Sequence, residues 1–182
     1  MKIIKSWLCF LIVTILLLNA CKPKESTSTE PAPLVLGQKY QGGIIFFLDF
    51  TGKHGFIAAP SDQSTHVKWG CNGKHIAGTS PFNGAGNANT QKLLEDCSAK
   101  GTPARLCNDL VIEGYSDWFL PSRNELNLLY QQKNFVGGFA NNFYWSSTEY
   151  DKYSTWCQHF FNGCQDNNGK FDYYCVRAIR AF

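Results

Sequence analysis

Strand-forming runs stand at both ends of the folded part of this chain, and helix signals fill the middle. Near the start, "GGIIFFLDF" and "HGFIAAP" are apolar runs separated by the turn signal "TGK", which predicts a β-hairpin. At the other end, "FYWSSTEY", "STWCQHFFNG" and "FDYYCVRAIRAF" are aromatic and β-branched, and "DNNGK" at 166–170 is a turn signal. Between them, Asn89–Thr90 is read as the cap of a helix over 91–99, with Leu93 and Leu94 on its buried side. Leu106, Leu110 and Val111 recur at helical spacing over 104–112. Ser122 and Glu125 form an S-x-x-E capping box for a third helix, with Leu126, Leu129 and Tyr130 on one face and "VGG" at 136–138 after its end. Residues 61–89 are rich in Gly, Asn, Ser and Thr and are expected to be irregular loop, anchored by Trp69 and clamped through Cys71. Strands at both ends with helices between predict an α+β fold, not the alternation of a parallel α/β sheet.

The N-terminus belongs to a different class of segment. Residues 1–20 carry Lys2 and Lys5, an apolar run from Trp7 to Leu18, and then "LLNAC". A basic start, a short apolar stretch and small residues at its end describe an export signal, and the run is short for a bilayer span. "LLNAC" resembles the lipobox of bacterial lipoproteins, which implies that Cys21 is lipidated and anchors the chain to a membrane of the bacterial envelope, at the outer membrane or cell surface. Residues 21–36 hold the lipid site and a Ser/Thr/Pro/Lys/Glu tether too polar to build a core. Residues 37–182 suit one domain. Lys2 and Lys5 account for two of the +3 net charges, leaving +1, which offers no electrostatic footprint for nucleic acid.

Cys71, Cys97, Cys107, Cys157, Cys164 and Cys175 remain in the folded part. An even set in an exported chain predicts three disulfides, and spacing does not select their connectivity. Cys97 with Cys107 is the preferred pair, because they flank the turn-like "SAKGTPARL". There is no C-x-x-C pair, and Cys71/His75 and Cys157/His159 stand isolated, so neither a metal site nor a cofactor is expected.

"GYSDWFLPSRNELNLLY", "YWSSTEYD" and the terminal "VRAIRAF", in this order, together with "GQKYQGGIIFFLD" and "NANTQKLLEDC" to "CNDL", resemble the domain family named after the C-terminal domain of the Legionella collagen-like adhesin. The resemblance runs from about 37 to 182. It implies a layout similar to the C-type lectin-like fold: an antiparallel sheet of N- and C-terminal strands, two to three helices and long loops, with adhesion or ligand binding. The calcium-lectin signatures E-P-N, Q-P-D and W-N-D are absent, so calcium-dependent sugar recognition does not follow. The copper-binding cysteine pattern of the related sulfatase-activating enzymes is not matched either.

Residue by residue, most polar groups in the aromatic segments read as scaffold. In "GYSDWFLPSRNEL", Tyr115, Trp118, Phe119 and Leu120 are expected in the core, Pro121 before the helix, and Glu125 in the cap. Trp145 reads as core, and Ser146, Ser147 and Thr148 as strand hydroxyls bonded to backbone. Arg177 and Arg180 differ in parity along one terminal strand, which puts them on opposite faces. A buried guanidinium needs a carboxylate, and Glu149 or Asp117 is the expected partner of Arg177. "NGAGNANT" at 83–90 has the glycines of a phosphate loop but lacks its G-K-[ST] ending. The candidate ligand-binding residues are Tyr150, Asp151, Tyr153 and Trp156 with Gln165, Asn167 and Asn168, rings for apolar faces and amides for hydroxyls. Three functions fit: a lipid-anchored envelope protein binding a surface glycan or protein, an envelope-polymer or glycan enzyme using Asp117 and Glu149, or a structural envelope component.

Overall fold

A computed structural model describes residues 32–182. The export segment 1–20, Cys21 and the tether through residue 31 lie outside the described residues. β1 (Lys39–Tyr40), β2 (Gly43–Leu48) and β3 (Gly55–Ala58) run antiparallel in sequence order, β2 and β3 joined by the hairpin at 49–54. Asp49 holds that hairpin, its Oδ1 accepting from the Thr51 amide at 3.0 Å. β3 also pairs antiparallel with β9 (Ile179–Ala181), so the first sheet, in the order β1-β2-β3-β9, joins the two ends of the domain. All four residues of β3 are buried, as a central strand covered on both faces demands.

The second sheet departs from expectation. It contains β4 (Ser64–Lys68), β5 (Phe143–Glu149), β6 (Ser154–His159), β7 (Gln165–Gly169) and β8 (Tyr173–Val176), in the order β4-β8-β5-β6-β7. β5 and β8 meet in parallel at Tyr144 and Cys175, so this sheet is mixed. β4 lies within the stretch read as irregular loop. It is an edge strand of polar, mostly exposed residues and so lacks the apolar alternation that marks a half-buried strand. "DNNGK" is not a turn: Gln165–Gly169 is the other edge strand, paired residue for residue with β6, and the chain reverses at 160–164. An edge strand tolerates Asn and Gly because one side of its ladder faces outward. The terminal run is likewise two strands in different sheets, and Arg177 sits where the chain crosses between them. The parity reading of Arg177 and Arg180 therefore does not apply.

Four helices lie between β4 and β5 in sequence: α1 (Gly86–Asp96), α2 (Pro103–Asn108), α3 (Arg123–Gln131) and the single turn α4 (Lys133–Val136). α2 starts from Thr102, whose side chain accepts from the Arg105 amide, with Pro103 at the first helical position. Asn89 and Thr90 do not cap α1 but lie buried inside it. Asn89 bonds Ser80 and Ser147, and Thr90 bonds the Gly86 carbonyl and the Leu120 amide, so both tie the helix to its neighbours.

Alternation along β5 divides the core. Trp145 faces a cluster with Trp69, Trp118, Leu120, Cys157 and Val176, whereas Tyr144 faces Phe46, Phe119, Leu126, Leu129 and Phe160. The same division corrects the cysteine reading. Among the described residues one disulfide joins Cys71 to Cys97, with Cα atoms 5.8 Å apart, and Cys107, Cys157, Cys164 and Cys175 are free thiols. Cys157 lies in the first cluster and Cys175 in the second, across the central strand β5, so they face away from each other. Burial pushes the Cys157 thiol up to about 12 and the Cys175 thiol up to about 11, and raises that of Cys107 as well. Among the cysteines of residues 32–182, a thiol-alkylating reagent is expected to label Cys164 alone in the native protein and all four free thiols after denaturation, with a peptide pair linked through Cys71 and Cys97 in non-reducing mass spectrometry.

Candidate functional site

The stretch 114–126 is a junction. Phe119 exchanges two backbone hydrogen bonds with Ile179, at 2.8 and 3.0 Å, and the Leu120 amide donates to Thr90 Oγ1. Pro121 accepts from the Ser147 amide, the Arg123 amide donates to Thr148 Oγ1, and Ser122 Oγ donates to the Phe82 carbonyl. Ser122 and Glu125 complete the reciprocal capping box at the start of α3. Glu125 does more. Its Oε2 accepts from the Ser122 amide at 2.7 Å, and its Oε1 accepts from Gly84 at 2.7 Å and Gly86 at 3.4 Å, at the N-terminus of α1. One buried carboxylate thus answers the orphan amides of two helices. The glycines that resemble a phosphate loop cradle an internal anion. A Cβ at Gly86 would lie 2.2 Å from Glu125 Oε2, so only glycine allows this approach. Burial raises the Glu125 carboxyl above the ordinary 4.5, and the three amides pull it partly back.

The carboxylates considered for catalysis are each matched to a cation, Glu149 at the end of β5 to Lys170 and Asp117 in the loop before α3 to Arg180 of β9. Glu149 is buried against Lys170, with the Ile76 amide at 3.0 Å and His75 Nδ1 at 2.6 Å. Lys170 also donates to the Lys74 carbonyl and lies 4.7 Å from the Trp69 ring. This pair holds the disulfide-braced loop around residues 71–80 onto the end of β5. Asp117 binds Arg180, which also donates to Gln41 Oε1 at 2.7 Å and lies over the Tyr115 ring. The partner of Arg177 is neither Glu149 nor Asp117 but Asp62, at 2.7 Å. Nothing local in the sequence marks Asp62 for a pairing across 115 residues. The Arg177 guanidinium also donates to the Ala59, Gly137 and Gly138 carbonyls, and Asp62 accepts from Tyr144. The hydroxyls of Ser146 and Thr148 bond the Trp156 and Ser80 carbonyls, and that of Ser147 accepts from Asn89; among the described residues none bonds a histidine.

The structure divides the candidate ligand-binding residues. Trp156, Asn167 and Gln165 share one face of β6 and β7, where Trp156 stands opposite Asn167. Tyr150 meets the Trp156 ring edge-on at 5.5 Å and is 56% exposed. Asn168 points to the other face, where its Nδ2 contacts Cys157 Sγ. Tyr153, 52% exposed, lies beside Gly73 and under Lys152, toward the disulfide-braced loop. Asp151 accepts from the Tyr153 and Ser154 amides, so it shapes the β5–β6 turn, and the Tyr153 amide foremost lowers its carboxyl from the ordinary range. A further residue joins this surface. Arg123, at the first position of α3, lies 3.6 Å from the Trp156 ring and bonds Gln165. Its signal is a cation at a helix N-terminus, where the macrodipole disfavours positive charge.

The sequence profile of the Lcl C-terminal domain matches residues 59–180. The chain belongs to the Lcl C-terminal domain family. A search of curated proteins gives no match. The family match contains the Asp62–Arg177 pair, the Glu125 double cap, the Glu149–Lys170 pair and the Arg123–Trp156 contact, whereas β1, β2 and β3 precede it. Among the described residues, no helix is long and apolar enough to cross a membrane.

Proposed function

We propose that this Lcl C-terminal domain is the ligand-binding part of an envelope protein, exported by residues 1–20, lipidated at Cys21, tethered by residues 21–36 and folded over 37–182. The fold reading is C-type lectin-like. It is supported by terminal strands sharing one sheet, helices inserted between the strand-rich ends, and a long disulfide-braced loop over the second sheet. The domain binds a surface glycan or protein without catalysis, in the manner of an adhesin. The observation that carries this reading is the group of exposed Tyr150 and half-buried Trp156, Arg123 and Asn167 on one face, while the acids that could move protons are committed to cations or caps.

Trp156→Ala is expected to weaken binding to a glycan array or to cell surfaces about tenfold or more, because it removes the ring and the platform under Arg123. Tyr153→Ala, on the side of Gly73, tests whether the contact extends to the braced loop. Circular dichroism should show both variants folded. Undiminished binding by both would remove this surface from the reading. Metabolic labelling with a fatty acid that is lost in Cys21→Ser would establish the anchor.

A further inference from the structure

Three described arginines lie over aromatic rings: Arg177 over Phe139 at 4.2 Å, Arg180 over Tyr115 at 4.1 Å, and Arg123 over Trp156 at 3.6 Å. The first two each hold a carboxylate, Asp62 and Asp117. Arg123 forms no ion pair among the described residues. It is nonetheless fixed in place. Its Nε donates to Gln165 Oε1 at 3.1 Å, and Gln165 Nε2 donates back to the Arg123 carbonyl at 3.0 Å. Asn127, one turn along α3, holds Gln158 at 2.8 Å beside Gln165. The guanidinium is therefore clamped by a ring on its face and an amide on one edge, and its two terminal amino groups meet no acceptor among the described residues.

We infer that Arg123 receives the carboxylate of an acidic sugar residue, a uronic acid, whose ring lies against Tyr150 and Trp156; this rests on the ligand-binding reading above. With Nε taken by Gln165, the open edge is the one between Nη1 and Nη2, which offers two parallel N–H donors to a planar carboxylate. A single guanidinium matches a single negative charge. The half-exposed ring of Tyr150 and the Asn167 amide supply what the remainder of a sugar needs, an apolar face and a partner for hydroxyls. The immobilised side chain loses little further freedom on binding. The position also accounts for a cation held against the α3 dipole.

The test uses the full chain in a non-ionic detergent, titrated calorimetrically with trigalacturonate and, separately, with its fully methyl-esterified form. The wild-type chain is expected to bind the acid at least about tenfold more tightly than the ester. Arg123→Gln should bring acid binding down to the level of ester binding and so erase that ratio, with circular dichroism showing the variant folded, and Arg123→Lys should retain only part of it, since an ammonium has no fork. Equal binding of acid and ester, or a ratio that survives Arg123→Gln, overturns the inference and leaves the ring surface standing. Acetyl-glycylglycine binding as tightly as trigalacturonate would overturn the sugar assignment in favour of a protein carboxylate. If neither sugar binds and Trp156→Ala changes nothing on the arrays, the underlying reading falls as well.

Discussion

Replacing Arg177 with methionine is expected to destabilise the domain by about 3–5 kcal/mol, lowering its melting temperature by about 10 °C or more. The side chain is fully buried, so the variant strands Asp62 as an uncompensated charge. It also leaves the Ala59, Gly137 and Gly138 carbonyls without their donor. A double-mutant cycle separates the two contributions. Asp62→Asn in the methionine background relieves the stranded charge and recovers part of the loss, while the three carbonyls remain unanswered. Chemical denaturation of the four proteins measures this directly. A methionine variant as heat-resistant as the parent would show that the pair is not a strut.

The second large effect belongs to Glu125. Glu125→Ala removes the acceptor of three amides at two helix starts and is expected to cost about 3 kcal/mol or more. Glu125→Gln keeps the shape but turns an N–H group toward one of those amides, so it loses less. The two variants also report on pH. Burial raises the folded-state carboxyl above the ordinary 4.5 that it has in the unfolded chain. Below the unfolded value both states are neutral and the contribution of the side chain is complete. As pH rises through the folded value, the unfolded state releases its proton first and stability falls. The advantage of the parent over Glu125→Gln should therefore be largest near pH 4 and shrink toward pH 7, as measured by urea midpoints. An advantage that grows with pH would reverse the assigned direction.

These two sites differ in how far they could be read from the chain. The capping box at Ser122–Glu125 is a contact across three residues, and its geometry follows from the first turn of a helix. Its second half, the amides of Gly84 and Gly86, is 39 to 41 residues distant and visible only when α1 docks beside α3. The need of Arg177 for a carboxylate is general chemistry, yet Asp62 lies 115 residues away in a polar segment that gives no sign of it. The disulfide is a similar case: Cys97 and Cys107 are near neighbours in sequence, but Cys71 reaches Cys97 because its loop is held by Glu149 and Lys170. "DNNGK" has the composition of a turn and becomes a strand because β6 offers it a ladder.

The α+β class, the N-terminal hairpin, the capped start of α3 and the membership in the Lcl C-terminal domain family all lie in the sequence, because each depends on residues close in the chain or on their linear succession. Tertiary structure alone decided the partners of Arg177, Glu149 and Arg180, the pairing of Cys71 with Cys97, and the position of Arg123 on Trp156. Burial leaves a charge or an amide with no water to bind, so its partner is whichever complementary group the fold brings into reach, and distance along the chain carries no information about that choice.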